Sequence, residues 1–477
     1  MPEGSHLSRM RPASRRVALI VAAAFFMQLL DGAIMNTSLP QMAASFGVLP
    51  LDLSVGITLY MLSAAAFVPI SGWLADRLGP RRVFLCAILA FTAASLACGL
   101  AQTLLQFVIA RALQGVAGAM MVPVGRLIVL RGSERSELVY VTALLTWPAL
   151  SAPIIGPALG GYLTAYHSWR WNFFINVPLG LAGLLLVMRY VPVSKAEHRH
   201  PLDWPGFILS ALAMVLLLYG LELLSHLHSG WLWQDWAQPA ALIVVGAIAL
   251  ALSIRHLQRS ERPLLDLSAA TVQTFRIATL TAGVAYRIAI QATPFLLPLL
   301  FQLGFGLDAL QAGSLLLLYF AGNMGMKPFT TAILRRFGFR QVMMYNGFLL
   351  GVSVIVCSAL SAHISHWILA PVLVLAGATR SMHMTAMNTL AFADITPQQK
   401  STSSTLVAVI DQSAVVMAVA LSTLVLNLAL MSTSGHLIGA RELHIGLICA
   451  GLLAMLAAPA YARLPRTAGA EVSGHRG

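Results

Sequence analysis

Gly72-Trp73-Leu74-Ala75-Asp76-Arg77-Leu78-Gly79-Pro80-Arg81-Arg82 is a short charged turn between two long apolar runs. A fainter copy follows 259 residues later, where Arg335-Arg336-Phe337-Gly338-Phe339-Arg340-Gln341-Val342 aligns with Asp76 through Val83. A turn that recurs between similar apolar runs points to a chain built as two related halves.

The surrounding chain is 58% hydrophobic and 10% charged, with a mean hydropathy of +0.79. A soluble domain carries about a quarter charged residues. At 477 residues this chain lacks the polar surface to stay in water, and it reads as lipid-solvated. Its formal net charge of +13 fits either nucleic acid or an anionic membrane surface. Cys86, Cys98, Cys357 and Cys449 sit inside apolar runs without metal-ligand spacing and read as packing residues. The first apolar run follows Arg9, Arg11, Arg15 and Arg16, as a signal peptide would. It is of spanning length, contains Asp31 and lacks a clear small-residue cleavage site, so it reads as a retained first helix.

A transmembrane helix takes about 20 mainly apolar residues. Fourteen windows qualify: 17–39, 53–75, 83–103, 105–127, 138–164, 171–191, 204–225, 237–256, 276–302, 309–333, 341–362, 367–389, 403–430 and 443–463. With the N-terminus in the cytoplasm, the outside loops carry only Arg170 and Arg441. Arg111, Arg287, Lys327 and Arg380 fall within spans, and every other Lys and Arg is assigned to a cytoplasmic end, loop or tail. That is the positive-inside bias. The basic balance is therefore a topology signal and argues against nucleic acid as a partner.

The two turns follow spans 2 and 10, so spans 1–6 match spans 9–14 and spans 7–8 are inserted. The expected fold is all-α integral membrane. A cytoplasmic tail (1–16) precedes a six-helix bundle (17–192), a cytoplasmic linker (193–203) and an inserted helix pair (204–257). A second linker (258–275), a second six-helix bundle (276–463) and a cytoplasmic tail (464–477) follow. Two bundles related by an axis along the membrane normal, with substrate between them, is a recurring transporter plan. In the insert's loop, Trp231, Trp233 and Trp236 read as interfacial anchors, and His226 and His228 do not make a metal set.

Four motifs bear on function. Asp31, in the outer half of span 1, costs roughly 2.5–3.5 kcal/mol to insert, and such a carboxylate usually marks a pathway or proton relay. The alternative is a structural partner for a nearby arginine. Asp76, Arg77, Arg81 and Arg82, with Gly72 and Gly79, form a turn of mixed charge that can hold a helix end in one conformation and release it in another. A merely solvated basic loop would explain Arg81 and Arg82, but not Asp76 with the glycines. Arg111 in span 4 must be paired or water-exposed, and Gly115 and Gly118 beyond it permit close helix packing. Span 5 carries Pro153, Gly156, Pro157, Gly160 and Gly161, which predict a bend and a close neighbour, hence a seal or pivot.

These segments occur in order, followed by Trp169-Arg170-Trp171-Asn172-Phe173-Phe174-Ile175-Asn176-Val177-Pro178-Leu179-Gly180. Together they resemble the fourteen-helix drug:proton antiporter branch of the major facilitator superfamily. Ala110 to Leu127 and Met324-Gly325-Met326-Lys327 look closest to its enterobacterial multidrug-permease-like members. The resemblance covers essentially the whole chain. It implies a coupling role for Asp31, a proton-transfer role for Arg111, a gating latch at Asp76 and an export hinge in span 5. Two positions depart from the family pattern. Pro80 stands where a polar residue is common, and Gly32 stands where Thr usually follows the aspartate. The second turn has Arg335 in place of Asp76, so the latch is expected to be asymmetric.

The second half offers cavity candidates: Arg287, Lys327, Arg380, His383, Asn388 and Gln412, with Asn36 from span 1 and Asp411 as a second proton-linked carboxylate. Deep bases outnumber deep acids. A lipophilic-cation pump should prefer exposed carboxylates, whereas buried arginines suit carboxylate or phosphate. In the neutral alternative, Arg380 pairs with Asp411, and Arg287 with another acid or with backbone carbonyls.

The leading expectation is a proton-coupled exporter of small amphipathic compounds or drugs. It would be a multi-pass monomer of a bacterial inner membrane, with both termini cytoplasmic and a proton gradient as its energy source. An exporter of organic anions or citrate-like metal–carboxylate chelates is the alternative. A non-transporting sensor or scaffold is remote. No Walker motif, nucleophile elbow or metal set argues for an enzyme, an ATP-driven pump or a cofactor.

Overall fold

The computed structural model describes residues 11–35, 38–48, 53–134, 137–146, 148–193, 201–225, 233–261, 263–307, 309–361, 364–431 and 439–475. Every regular element among them is helical. In lipid the backbone has no water to bond, and a helix satisfies its amides and carbonyls internally.

The first half contains α1 (Pro12–Met35), α2 (Leu39–Phe46), α3 (Ser54–Phe67), α4 (Ser71–Leu78), α5 (Pro80–Leu100), α6 (Leu104–Gly132), α7 (Leu138–Thr146), α8 (Pro148–Tyr166), α9 (Trp171–Phe174) and α10 (Asn176–Tyr190). The insert is α11 (Trp204–Ser225) and α12 (Trp233–Arg259). The second half contains α13 (Gln273–Phe275), α14 (Ala282–Leu299), α15 (Ala309–Ser358), α16 (His366–Ala393), α17 (Lys400–Met431), α18 (Ala440–Ala457) and α19 (Ala470–Ser473).

Twelve helical stretches among the described residues are long and apolar enough to cross a membrane. The expectation was fourteen, and the difference lies in two places. Window 138–164 appears as α7 and α8, and residue 147 between their bounds lies outside the described residues. Windows 309–333 and 341–362 run together as α15, 50 residues long. At 1.5 Å per residue that is about 75 Å, more than twice a ~30 Å hydrocarbon core. Gly338 interrupts it with φ 71° and ψ 163°. Gly79, 259 residues earlier, separates α4 from α5 with φ 86° and ψ 134°. Both members of the repeated turn thus rest on a glycine in a backbone region that side chains disfavour.

The tails are more built than expected. α1 begins at Pro12, inside the assigned N-terminal tail. The C-terminal segment folds back onto the second turn, with His475 Nδ1 3.0 Å from the Arg335 carbonyl. Residues 1–10 and the insert's loop 226–232 lie outside the described residues.

The insert does not stand apart. α11 packs on α3 and α17, burying Met214 and Leu218 against Ala65. Thr58 donates to Glu222 at 2.6 Å, which ties α11 to α3. At the Lys/Arg-rich end, Asp203 caps α11 through the Gly206 amide at 3.0 Å. It also meets the Leu264 amide at 3.1 Å and His256 at 2.8 Å, tying both ends of the insert together. Burial alone would raise this carboxyl, but the Gly206 amide, His256 and the Leu264 amide together hold it below its ordinary 3.8. A carboxyl lowered on folding stabilises fully above its unfolded value and loses that contribution as pH falls through the folded one. Acidification below about pH 4 is expected to lower the Tm of the intact protein, less steeply in Asp203→Ala. Parallel Tm–pH curves for the two proteins would sink this assignment.

The two halves join along the first turns of α17. Ser401 donates to the Gly72 carbonyl (3.3 Å), Ser71 meets Thr405 (3.4 Å), Lys400 reaches the Leu130 carbonyl (2.8 Å) and Ser404 the Pro123 carbonyl (2.7 Å). A Cβ added at Gly72 would stand 2.6 Å from Thr405 Oγ1, so α4 and α17 are in contact there.

Candidate translocation site

Two charged clusters stand inside the bundle. The first is sealed. Arg111 Nη1, on α6, donates to Asp31 Oδ2 on α1 at 2.6 Å, and both side chains are 1–2% exposed. Gln114 Nε2 (3.0 Å) and Asn176 Nδ2 (2.8 Å) donate to the other carboxylate oxygen. Arg111 also donates to Gln114 Oε1 at 2.9 Å. Its guanidinium lies 4.9 Å from the Phe173 ring centre, with Tyr60 and Phe107 close by. A buried ion pair is tolerated when its remaining lone pairs and protons find partners. Here Gln114, Asn176, the Met35 sulfur and an aromatic box supply most of them, and Arg111 Nε alone of the guanidinium nitrogens has no hydrogen-bond partner.

The second cluster faces a cavity of about 270 Å³ between the halves, lined by Gln28, Arg126, Arg287, Asn388, Asp411 and Gln412 among others. Asp411 Oδ1 accepts from Arg287 Nε at 2.6 Å, and Oδ2 accepts from Arg126 Nη2 at 3.1 Å. Arg126 belongs to α6 and Arg287 to α14, so one carboxylate bridges the two halves. Arg287 is held by the path of its own segment. A π-helical turn, Arg276–Leu280, ends at Thr281 and precedes α14. Arg287 Nη1 caps the carbonyls of Ala278 (2.9 Å) and Gly283 (3.2 Å), and Nη2 reaches Asn388 Oδ1 at 3.2 Å.

The expected neutral pairing is corrected here. Arg380 does not take Asp411. It donates to Gln291 at 3.3 Å and lies 6.0 Å from the Tyr319 ring centre. Arg287 takes both the acid and the carbonyls. His383 is fully buried, 3.8 Å from the Tyr286 ring centre and 3.4 Å from Tyr461 Oη. Arg287, Asn388 and Gln412 line the cavity, and Lys327, Arg380 and His383 are not among its lining residues. Asn36 lies outside the described residues.

Sequence reading missed Arg126, Gln114 and Asn176. Arg126 was among the bases assigned to a cytoplasmic end, but α6 continues to Gly132 and carries it inside. Asn176 lies in the quoted Trp169–Gly180 segment, where it drew no role. A sheltered carboxylate without enough donors in its own span was the available signal for all three.

The turn at the basic end is paired across helices. Asp76 accepts from Arg131 at 3.0 Å. Arg81 reaches the Met188 carbonyl at 2.5 Å, Arg77 lies 5.1 Å from the Trp73 ring centre, and Arg82 is exposed. In span 5, a Cβ at Gly156 would stand 2.5 Å from Ala33 Cβ, so α8 presses on α1 two residues from Asp31. Gly161 faces open space, Gly160 is buried, and the side chains of Pro153 and Pro157 lie outside the described set. A wider cleft of about 970 Å³ opens at the basic end between α4 and the linkers. No group of three or more potential metal ligands occurs among the described residues.

Two helical bundles clasping a mainly apolar cavity that holds an ion-paired cluster define a multi-pass membrane carrier. The chain belongs to the Major Facilitator Superfamily, whose family model matches residues 21–419. Proteins named "Putative multidrug resistance protein MdtD" are similar over 87% of both chains. The one from Escherichia coli O6:H1 (strain CFT073) is 38% identical over 420 residues, as is that from Escherichia coli O45:K1 (strain S88). Among solved structures, the human organic anion transporter MFSD10 matches with a TM-score of 0.66 at 15% identity, covering 94% of this chain and 100% of its own. The proton:xylose symporter XylE matches with a TM-score of 0.58 at 14% identity, covering 96% and 97%. These likenesses show the fold. Membership makes the protein a transporter rather than an enzyme.

Proposed function

We propose that the protein is a proton-coupled exporter working by alternating access in a bacterial cytoplasmic membrane. Its cargo is small amphipathic compounds, as the names of its 38%-identical relatives suggest. The observation that carries this reading is the separation of two carboxylates. Asp31 is sealed with Arg111, Gln114 and Asn176, while Asp411 faces the shared cavity. In a carrier that couples a proton to cargo, two separated carboxylates divide the two tasks, and intramembrane carboxylates are the usual proton relays. In this reading Asp31 is the coupling group and Arg111 its partner. Asp76 with Arg131 and the Gly72–Arg82 turn forms the gating latch, and span 5 is the hinge. Counting α7 with α8 as one span, and α15 as two divided at Gly338, supports fourteen spans with both termini cytoplasmic. The carrier acts as a monomer and draws on the proton gradient without ATP.

The test is transport into proteoliposomes under an imposed pH gradient, using a lipophilic cationic dye and a labelled tricarboxylate. Gradient-dependent movement of either, abolished by a protonophore, is expected. No movement of any cargo under a gradient would end the reading. An organic-anion cargo is a second reading, favoured by one observation: the cavity's Asp411 is held by two arginines.

A further inference from the structure

Resting on that organic-anion reading, we propose that Arg126 and Arg287 form a carboxylate-binding site shared by the two halves, with Asp411 as its built-in occupant. An organic carboxylate entering the cavity takes the place of the Asp411 side chain between the two guanidinium groups.

The geometry is that of a receptor already filled. The Asp411 oxygens are divided between the arginines, one at 2.6 Å from Arg287 and the other at 3.1 Å from Arg126. All three side chains line the same cavity. Arg287 is immobilised by the Ala278 and Gly283 carbonyls and by Asn388, and it turns only Nε toward the acid. Arg126 differs. One of its terminal nitrogens, Nη1, is buried without a hydrogen-bond partner, so it keeps a donor to offer. Guanidinium groups favour two-point contact with carboxylates. Arg380, not itself a lining residue, holds Gln291, which is one, and adds positive charge on that side. Small-molecule pockets usually span about 300–1,000 Å³, so about 270 Å³ suits a small organic acid better than a bulky drug.

The exchange has a physical logic. A bare guanidinium in this setting is costly. An empty carrier avoids that cost by supplying its own carboxylate, and the same carboxylate ties α6 to α17. A cargo carboxylate offsets the same one of the two guanidinium charges while releasing that tie, and the displaced Asp411 carboxylate is left facing the cavity. The built-in occupant also lowers the apparent affinity for cargo, because the competent state is only a fraction of the whole.

The experiment measures equilibrium binding of a labelled tricarboxylate, and of a lipophilic cationic dye, to the full-length protein in nanodiscs. Intact protein is compared with Asp411→Asn, Arg126→Gln and Arg126→Lys. Removing the competing carboxylate is expected to tighten tricarboxylate binding about tenfold. Arg126→Gln is expected to weaken it at least about tenfold, with Arg126→Lys between the two. Dye binding is not expected to follow this order. Unchanged or weaker tricarboxylate binding in Asp411→Asn overturns the proposal, as does dye binding lost in Asp411→Asn and gained in Arg126→Gln. If Asp411→Asn elutes as aggregate, Arg126→Lys decides, since it retains the charge; tricarboxylate affinity equal to the intact protein then overturns the proposal. Gradient-driven tricarboxylate transport with no tightening in Asp411→Asn sinks this site alone. Absence of all gradient-driven transport sinks the exporter reading instead.

Discussion

Asp31→Ala is expected to cost about 3–5 kcal/mol of stability, because it leaves a buried guanidinium without its counter-charge. Arg111 is 2% exposed. Its remaining partners are Gln114 Oε1, the Met35 sulfur and three aromatic faces, none of which carries the missing charge. The double variant Asp31→Asn/Arg111→Gln is expected to recover most of that loss. It removes both charges while keeping donors and acceptors of similar shape. Gradient-driven transport, however, is expected to be absent from both, since neither retains a proton-carrying group at that position. The measurements are thermal unfolding of the detergent-solubilised protein and proteoliposome transport, run on the same preparations. A double variant that is stable and still transports with the gradient would make the pair a structural anchor, and the coupling role would pass to Asp411.

Gly72→Leu is expected to slow transport strongly while leaving each bundle folded. The Cβ position at Gly72 already lies 2.6 Å from Thr405 Oγ1 and 3.6 Å from the Ser401 carbonyl. A leucine there cannot enter unless α4 and α17 separate. Overpacking costs about 1–3 kcal/mol. Because it falls only on the conformation in which these helices touch, it lowers that state's population roughly 5–150-fold. Each bundle's own core is untouched, so the Tm should move little. A cysteine pair at Ser71 and Thr405, whose side-chain oxygens are 3.4 Å apart, reports the contact directly. Cross-linking is expected in the otherwise intact protein and lost with Gly72→Leu. Normal transport by a variant that no longer cross-links would show that this contact is not part of the cycle.

The repeated turn shows how far local signals reach. Gly79 and Gly338 are legible because a helix can reverse only where the backbone leaves the helical region, and glycine does so without penalty. Asp76 was legible as a charge set in the turn, but its partner Arg131 was not. It lies 55 residues away on another helix, and nothing in its neighbourhood marks it. The span 5 glycines predicted a close neighbour, and Gly156 meets Ala33 on α1. Which glycine makes the contact depended on the rotation of α8 about its axis.

Sequence alone determined that the chain lives in lipid and that one charged turn recurs 259 residues on. It also determined that Asp31, Arg111, Arg287 and Asp411 are charges held in an apolar setting. Those properties depend on composition, run length and spacing, which are read along one dimension. Only the tertiary structure decided the pairs: Asp31 with Arg111, and Asp411 with Arg287 and Arg126 rather than with Arg380. Pairing depends on helix rotation and depth, and spans apolar on nearly every face carry little pattern to show either. Arg126 makes the point, since about a turn and a half more of α6 separates a surface charge from one that joins the two halves.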